Sequence, residues 1–177
     1  MEPKWEKGDE RYFDKVLKGE RRTLQDDKTK LYIFAKNDLY IITTDRGIIR
    51  DTYRKCDYMT NSDVCTNFIE LKGANIKEAY DQISNTIDYL KNDKSYQYLI
   101  KNKKLYAFIV SPERQKYPAG IEKSERKLAK LIASLNETRL DKIVEFIKYV
   151  KVMKNLKNLS QKGQNIECSG KYPLEVE

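Results

Sequence analysis

Apolar and polar positions along the chain follow two repeating patterns, one typical of strands and one typical of helices. Residues 30–35 and 38–44 are rich in β-branched and aromatic side chains and flank a two-residue turn at 36–37, so together they predict a β-hairpin. Residues 66–72 alternate as a strand does. The uninterrupted apolar run 105–110 predicts a strand that is buried on both faces, near the centre of a sheet.

Apolar residues spaced three and four apart predict helices elsewhere in the chain. The clearest helix is predicted over 76–90, and a second, lysine-rich helix is predicted over 121–135. Residues 9–17 predict a short first helix that ends at Gly19. Residues 140–159 fit both a helix and a strand, and we favour a helix at their start.

The remaining segments complete the predicted architecture. Residues 56–59 predict a strand that is followed by turn formers at 60–63, whereas 21–30 are polar and predict a loop. Strands and helices that alternate in this way predict an α/β fold, with a mixed central β-sheet flanked by helices. The length of 177 residues suits a single domain over 1–160, and the apolar periodicity is too weak to assign any element to the C-terminal tail, 161–177.

The absence of histidine removes several classes of enzyme from consideration. The chain is 40% hydrophobic and 35% charged, so it can build a core beneath a highly charged surface. Without histidine it cannot form a Ser-His-Asp triad, a Cys-His nucleophile or a His-ligated zinc site. Catalysis would therefore require carboxylates, lysines, tyrosines, hydroxyls or a metal held by oxygen ligands.

Cysteine spacing and hydropathy predict a cytoplasmic protein. Cys56, Cys65 and Cys168 form no CxxC pair, and the N-terminal residues lack the apolar stretch of a signal peptide. The longest apolar runs are much shorter than the roughly 20 residues that a membrane span requires. We therefore expect free thiols and no membrane partner.

Basic charge is concentrated in one part of the chain. Residues 101–159 contain fifteen lysines and arginines against six acidic residues, which accounts for the net charge of +8. A one-sided basic surface attracts polyanions, so nucleic acid is the first partner to consider and an anionic membrane surface the second. A solvated lysine-rich helix face explains the charge equally well. The candidate phosphate contacts are Lys116, Lys123, Arg126, Lys127 and Lys130.

A possible metal site is predicted where a strand carries Glu70 and Lys72 on one face. A turn before this strand would bring Asp57 beside Glu70, and two adjacent carboxylates repel each other unless a cation neutralises them. Oxygen ligands suit Mg²⁺ or Mn²⁺, and a nearby lysine can stabilise charge that develops on a phosphate. A surface ion pair on an edge strand is the alternative explanation.

These residues resemble the core of the PD-(D/E)xK, or restriction-endonuclease-like, nuclease superfamily. The resemblance covers the strand around Asp57, the strand Phe68-Ile-Glu-Leu-Lys72, the following helix and the buried strand that ends at Val110. It implies a restriction-endonuclease-like core, with Asp57, Glu70 and the Leu71 carbonyl as metal ligands and Lys72 as the catalytic lysine. Glu10 would add a further ligand, although Glu20 competes for that role. From its helix, Gln82 is an accessory candidate for the same face, and a solvent-facing polar side chain is the equal alternative.

The resemblance implies a Mg²⁺-dependent or Mn²⁺-dependent DNA endonuclease, acting in restriction, repair or junction resolution, for which a homodimer would allow both strands to be cut. Two departures from the family pattern are Cys56, which stands where the motif has proline, and Thr86, which stands where one subgroup has tyrosine. A catalytically inactive nucleic-acid-binding module of the same fold is the main alternative. An interaction protein whose basic helix docks an acidic partner is the third.

Overall fold

An eight-stranded mixed β-sheet forms the middle layer of the structure, a computed structural model that describes residues 4–26, 29–50, 52, 54–72, 76–112 and 122–177. Two α-helices cover one face of this sheet, and a three-stranded sheet covers the other. The α-helices and strands are α1 (Ile76–Asn92), α2 (Glu122–Leu135), β1 (Phe13–Val16), β2 (Arg21–Gln25), β3 (Lys30–Ala35), β4 (Leu39–Thr43), β5 (Tyr58–Asn61), β6 (Cys65–Leu71), β7 (Lys104–Pro112), β8 (Ile147–Val152), β9 (Ser160–Lys162), β10 (Asn165–Cys168) and β11 (Leu174–Val176).

The strand order of the large sheet is β1-β4-β5-β6-β7-β8-β10-β9. The pairs from β1 to β6 are antiparallel, whereas β6, β7, β8 and β10 run parallel to one another. The helices α1 and α2 make the crossovers from β6 to β7 and from β7 to β8, because parallel neighbours cannot be joined by a tight turn. The predicted α/β class and mixed sheet are therefore confirmed.

Two apolar layers lie on either side of the large sheet. Phe68, Ala107 and Ile147 face α1 and α2, on the side that we call the helix face. Ile69 and Val110 point the other way, toward the small sheet β11-β3-β2. β7 is buried on both faces at the sheet centre, as its apolar run predicts. Within the described residues, no helix has the length and apolar character that a membrane span needs.

The predictions of a first helix and of a loop after it are wrong. A 3-10 helix occupies only Glu10–Tyr12, and β1 pairs with β4 immediately afterwards. Val16 is buried but Asp14 and Lys15 are exposed, which is the burial pattern of an edge strand rather than of a helix face. The polar segment 21–30 contains β2, of which only Leu24 is buried.

The two runs predicted to form a hairpin are strands of different sheets. β3 pairs with β2 and β11, whereas β4 pairs with β1 and β5. The short link between them therefore carries the chain from one layer to the next. Each sheet then buries one face of its strand in the shared apolar layer, which contains Ile33 and Ile41.

The C-terminal part of the chain contains more regular structure than its sequence predicts. Residues 140–159 combine both expectations, since a 3-10 helix over Leu140–Glu145 precedes β8. The segment after 161, which was assigned no element, contributes to β9 and forms β10 and β11. Thr60 and Asn61, predicted to begin a turn, belong to β5. The boundary between a domain and a tail at residue 160 stays a prediction.

Candidate active site

The structure brings Asp57 and Glu70 together where β5 and β6 pair. The antiparallel register sets Tyr58 opposite Ile69, so the next residues along, Asp57 and Glu70, are also neighbours. The Asp57 backbone N–H donates to Glu70 Oε2 at 3.0 Å. The Leu71 N–H donates to Asp57 Oδ2 at 2.8 Å, which fixes the second carboxylate against the Leu71 backbone.

Lys72 joins this pair at the carboxyl end of β6. Alternation along the strand sends Ile69 and Leu71 into the layer beneath the small sheet, so Glu70 and Lys72 lie on the helix face. Lys72 Nζ is 3.0 Å from Glu70 Oε1 and 3.5 Å from Glu78 Oε2 in the first turn of α1. The Glu70 side chain is 1% exposed and that of Lys72 is 15% exposed. An acidic pair and an ammonium thus share one half-closed site.

Burial and mutual repulsion make this pair of carboxyl groups difficult to ionise. Loss of solvent, followed by the charge of Asp57, raises the pKa of Glu70 to about 8. Loss of solvent also raises the pKa of Asp57 to about 6, although the Leu71 N–H and Lys72 oppose that rise. Burial alone would lower the pKa of Lys72, but Glu70, Glu78 and Asp57 outweigh burial and raise it. The site therefore favours an added positive charge.

We expect stability without metal to fall as pH rises across this site. Because the folded protein retains a proton on Glu70 that the unfolded chain has lost, the Glu70 contribution to stability declines between about pH 4 and its folded pKa of about 8. Glu70→Gln removes the charge but keeps an acceptor for the Asp57 N–H. At a pH above 8 in EDTA, the variant should melt about 2–8 °C higher than wild type, since about 1–2 kcal/mol of unfavourable charge burial is relieved.

Calorimetry across this pH range tests the expectation, with Glu175→Gln as the matched control. Glu175 lies on β11 and is half exposed in a pair with Lys36, so its conversion to an amide should leave the pH dependence of the melting temperature unchanged. Parallel pH profiles for wild type and Glu70→Gln would contradict the proposed charge burial.

Gln82 and Cys56 each make a hydrogen bond at the segment that leads into Asp57. Gln82 Nε2 donates to the Lys55 carbonyl at 3.0 Å, while its buried Oε1 has no hydrogen-bond partner within the described part of the chain. The Cys56 N–H donates to Thr86 Oγ1 at 2.9 Å, so Thr86 supports the backbone next to Asp57. Burial raises the pKa of the Cys56 thiol, and Cys56 forms no disulfide, as the cysteine spacing predicts.

The two further acidic candidates are not part of this cluster. Glu10 Oε2 accepts the Gly8 N–H within its own loop, and β4 separates the neighbouring strand β1 from β5. Glu20 accepts the Leu17 N–H and pairs with Arg22. Among the described residues, no three His, Cys, Asp or Glu side chains are placed to hold a metal ion. The donors at the site are two carboxylates and the neighbouring backbone.

The basic candidates occupy the outer surface of α2. Leu128 and Ile132 anchor this helix in the core, and its opposite side is exposed. The exposed candidates are Lys123, Arg126, Lys127 and Lys130. Lys116, the remaining candidate, lies outside the described residues. α2 and the acidic pair thus lie on the same side of the large sheet.

Two charged residues at the site were missed by sequence reasoning. Glu78 contacts Lys72, and Arg54 Nη1 contacts Glu78 Oε1 at 2.8 Å. An acid in the first turn of a helix is common for electrostatic reasons alone, so the position of Glu78 gave no distinct signal.

No family model, curated protein or solved structure matches this chain.

Proposed function

We propose that this protein is a metal-dependent DNA endonuclease of the PD-(D/E)xK type. The observation that carries the proposal is the convergence of Asp57, Glu70 and Lys72 at one point on the helix face. The order of elements supports it: a segment with the aspartate leads into β5, the antiparallel β6 carries Glu70-Leu71-Lys72, and α1 leads to the parallel strand β7. This is the order of elements in the family that the sequence resembles.

The donor chemistry of the site fits a hard divalent cation. Asp57 and Glu70 supply carboxylate oxygens. Burial raises the pKa of both groups, and the charge of Asp57 adds to the rise in the pKa of Glu70, so a nearby cation would favour their ionised forms. Asp57 and Glu70 would hold Mg²⁺ or Mn²⁺, with the Leu71 carbonyl as a further ligand. When bound, such an ion polarises a phosphoryl oxygen and neutralises developing negative charge.

Backbone groups of the protein orient the two carboxylates, and Lys72 supplies a positive charge. The Leu71 N–H holds Asp57, and the Asp57 N–H holds Glu70, so the two carboxylates keep fixed directions before any substrate arrives. The Lys72 ammonium would orient an attacking water and stabilise charge on the phosphate in the transition state. Attack by the water oxygen would form a new bond to phosphorus while the bond to the leaving oxygen breaks; the water would lose a proton to solvent and the leaving oxygen would take one up from solvent.

Cleavage assays test this function directly. Plasmid, linear, single-stranded and branched DNA should each be incubated with Mg²⁺, with Mn²⁺ and with EDTA. We expect cleavage of at least one substrate with a divalent ion and none with EDTA. Binding of DNA without cleavage in any metal would favour the inactive binding module, and the absence of both would contradict the proposal.

DNA affinity should depend strongly on salt and on the exposed side of α2. If this helix contributes about 4–6 phosphate contacts, the logarithm of the association constant should fall with the logarithm of salt concentration at a slope of roughly −0.9 per contact. Reversal of Lys123, Arg126, Lys127 and Lys130 to glutamate should flatten that slope and weaken binding, as measured by fluorescence anisotropy in Ca²⁺.

A second quadruple reversal provides the matched control. Lys91, Lys94, Lys101 and Lys104 are also exposed, but they lie near the end of α1 and the start of β7, at the far end of the sheet. The control changes net charge equally, so a comparable loss of affinity would indicate a general charge effect. Normal binding by the α2 variant would place the DNA surface elsewhere.

A further inference from the structure

One carboxylate at the mouth of the site pairs with two cations. Glu78 Oε1 lies 2.8 Å from Arg54 Nη1, and Glu78 Oε2 lies 3.5 Å from Lys72 Nζ. The exposed fraction of the side chain rises outward, from 15% for Lys72 to 33% for Glu78 and 74% for Arg54. Paired charged side chains therefore extend from the buried acidic pair to the protein surface.

The position between these cations suits a phosphate oxygen. A guanidinium and an ammonium that converge on one anion form a common arrangement for phosphate binding, and the planar fork of arginine favours two-pronged contacts. In the protein alone, the Glu78 carboxylate fills this position. Exposed ion pairs contribute little to stability, so an incoming phosphodiester can replace Glu78 beside Arg54.

We propose that Arg54 and Lys72 form a binding site for one phosphodiester group of the DNA, which Glu78 occupies in the absence of substrate. The inference rests on the proposed nuclease function and identifies a substrate contact within that same site. Arg54 lies just before Asp57 in the chain, so a phosphate bound between Arg54 and Lys72 would be adjacent to the acidic pair. The N-terminal turn of α1 also favours the negative charge of Glu78 once a phosphate has taken its place beside Arg54.

Equilibrium binding of a short labelled DNA duplex in Ca²⁺ tests the proposal. Arg54→Ala should weaken the affinity about 5–20-fold at low ionic strength and make the salt slope shallower by about one. Glu78→Gln should tighten binding about 3–10-fold, because it removes the competing charge. Arg54→Lys should restore only part of the affinity.

Arg139→Ala is the matched control for the loss of an exposed, paired arginine. Arg139 pairs with Asp141 and follows Asn136, which hydrogen-bonds Leu105 at the opposite end of the sheet. This control should change the affinity by less than about twofold. The gain from Glu78→Gln should also shrink when Arg54 is replaced by alanine, because Glu78 then competes at only one cation.

Two results would overturn the inference. In the first, Arg54→Ala has the same DNA affinity as Arg139→Ala, and Glu78→Gln has the same DNA affinity as wild type. If wild type still cuts DNA, this result refutes the phosphate site and leaves the nuclease proposal standing. If wild type neither binds nor cuts DNA at low ionic strength, both proposals fail. Melting temperatures of each variant show whether an altered affinity reflects altered folding.

Discussion

Asp57→Ala and Glu70→Ala are each expected to abolish metal-dependent DNA cleavage. The two carboxylates are the main donors at the site, and removal of either leaves a cation with too few protein ligands to be held at micromolar to millimolar concentration. The ion is expected to contribute several kcal/mol to the transition state, so we expect cleavage to fall about 10³-fold or more in single-turnover assays with Mg²⁺.

The amide variants separate charge from folding in this experiment. Asp57→Asn and Glu70→Gln keep an oxygen that can accept the Leu71 and Asp57 N–H groups, so the link between β5 and β6 survives. Both should remain folded by circular dichroism and both should be inactive. Glu175→Ala, on the small sheet, should cut as wild type does. Full activity of Asp57→Asn or Glu70→Gln at limiting Mg²⁺ would exclude the two residues as metal ligands.

The central part of the fold could be predicted because its signals are local. Apolar and charged residues alternate from Ile69 to Lys72 at the end of β6, and α1 repeats apolar residues from Ile76 to Leu90. The side chains of Glu70 and Lys72 share a face because side chains alternate along any strand. A short antiparallel connection from β5 to β6 then places Asp57 next to Glu70 without reference to the rest of the chain.

Other parts of the fold depend on contacts that a local pattern does not specify. β10 gains its place by parallel pairing with β8, and β11 by pairing with β3, far away in the chain. Both strands are short, so neither shows a strong alternation of its own. The helical spacing of Phe13, Val16 and Leu17 predicts a helix, yet pairing with β4 decides the conformation of β1.

In the candidate site too, local contacts could be predicted and contacts between distant segments could not. Glu10 was expected to contribute to the metal site, but whether it reaches Asp57 depends on the strand order, and β4 lies between their strands. The contact of Arg54 with Glu78 similarly requires the packing of α1 beside the segment before β5. Residues brought together by one turn were thus predictable, and residues brought together by packing between layers were not.

The position of Lys72 predicts that its substitution affects DNA cleavage more than DNA binding. Its ammonium lies 3.0 Å from Glu70 Oε1 and is largely withdrawn from solvent, so it is poorly exposed to the distant phosphates that determine overall affinity. Its charge should count most when negative charge accumulates on the reacting phosphate. Arginine carries the same charge, but its planar fork cannot reproduce the contacts that a compact ammonium makes with Glu70 and Glu78.

Lys72→Ala should therefore lower the single-turnover cleavage rate about 10²–10⁴-fold, with a smaller change in DNA affinity. Lys72→Arg should recover little of that rate. Binding measured in Ca²⁺ beside cleavage measured in Mg²⁺ separates the two effects, because Ca²⁺ occupies oxygen-ligand sites yet differs from Mg²⁺ in size and coordination. Lys36→Ala removes an exposed, paired lysine on the other side of the sheet and serves as the control. If Lys72→Ala cuts at the wild-type rate, then Glu70 and Lys72 form only an ion pair on a strand, and the nuclease proposal loses its main support.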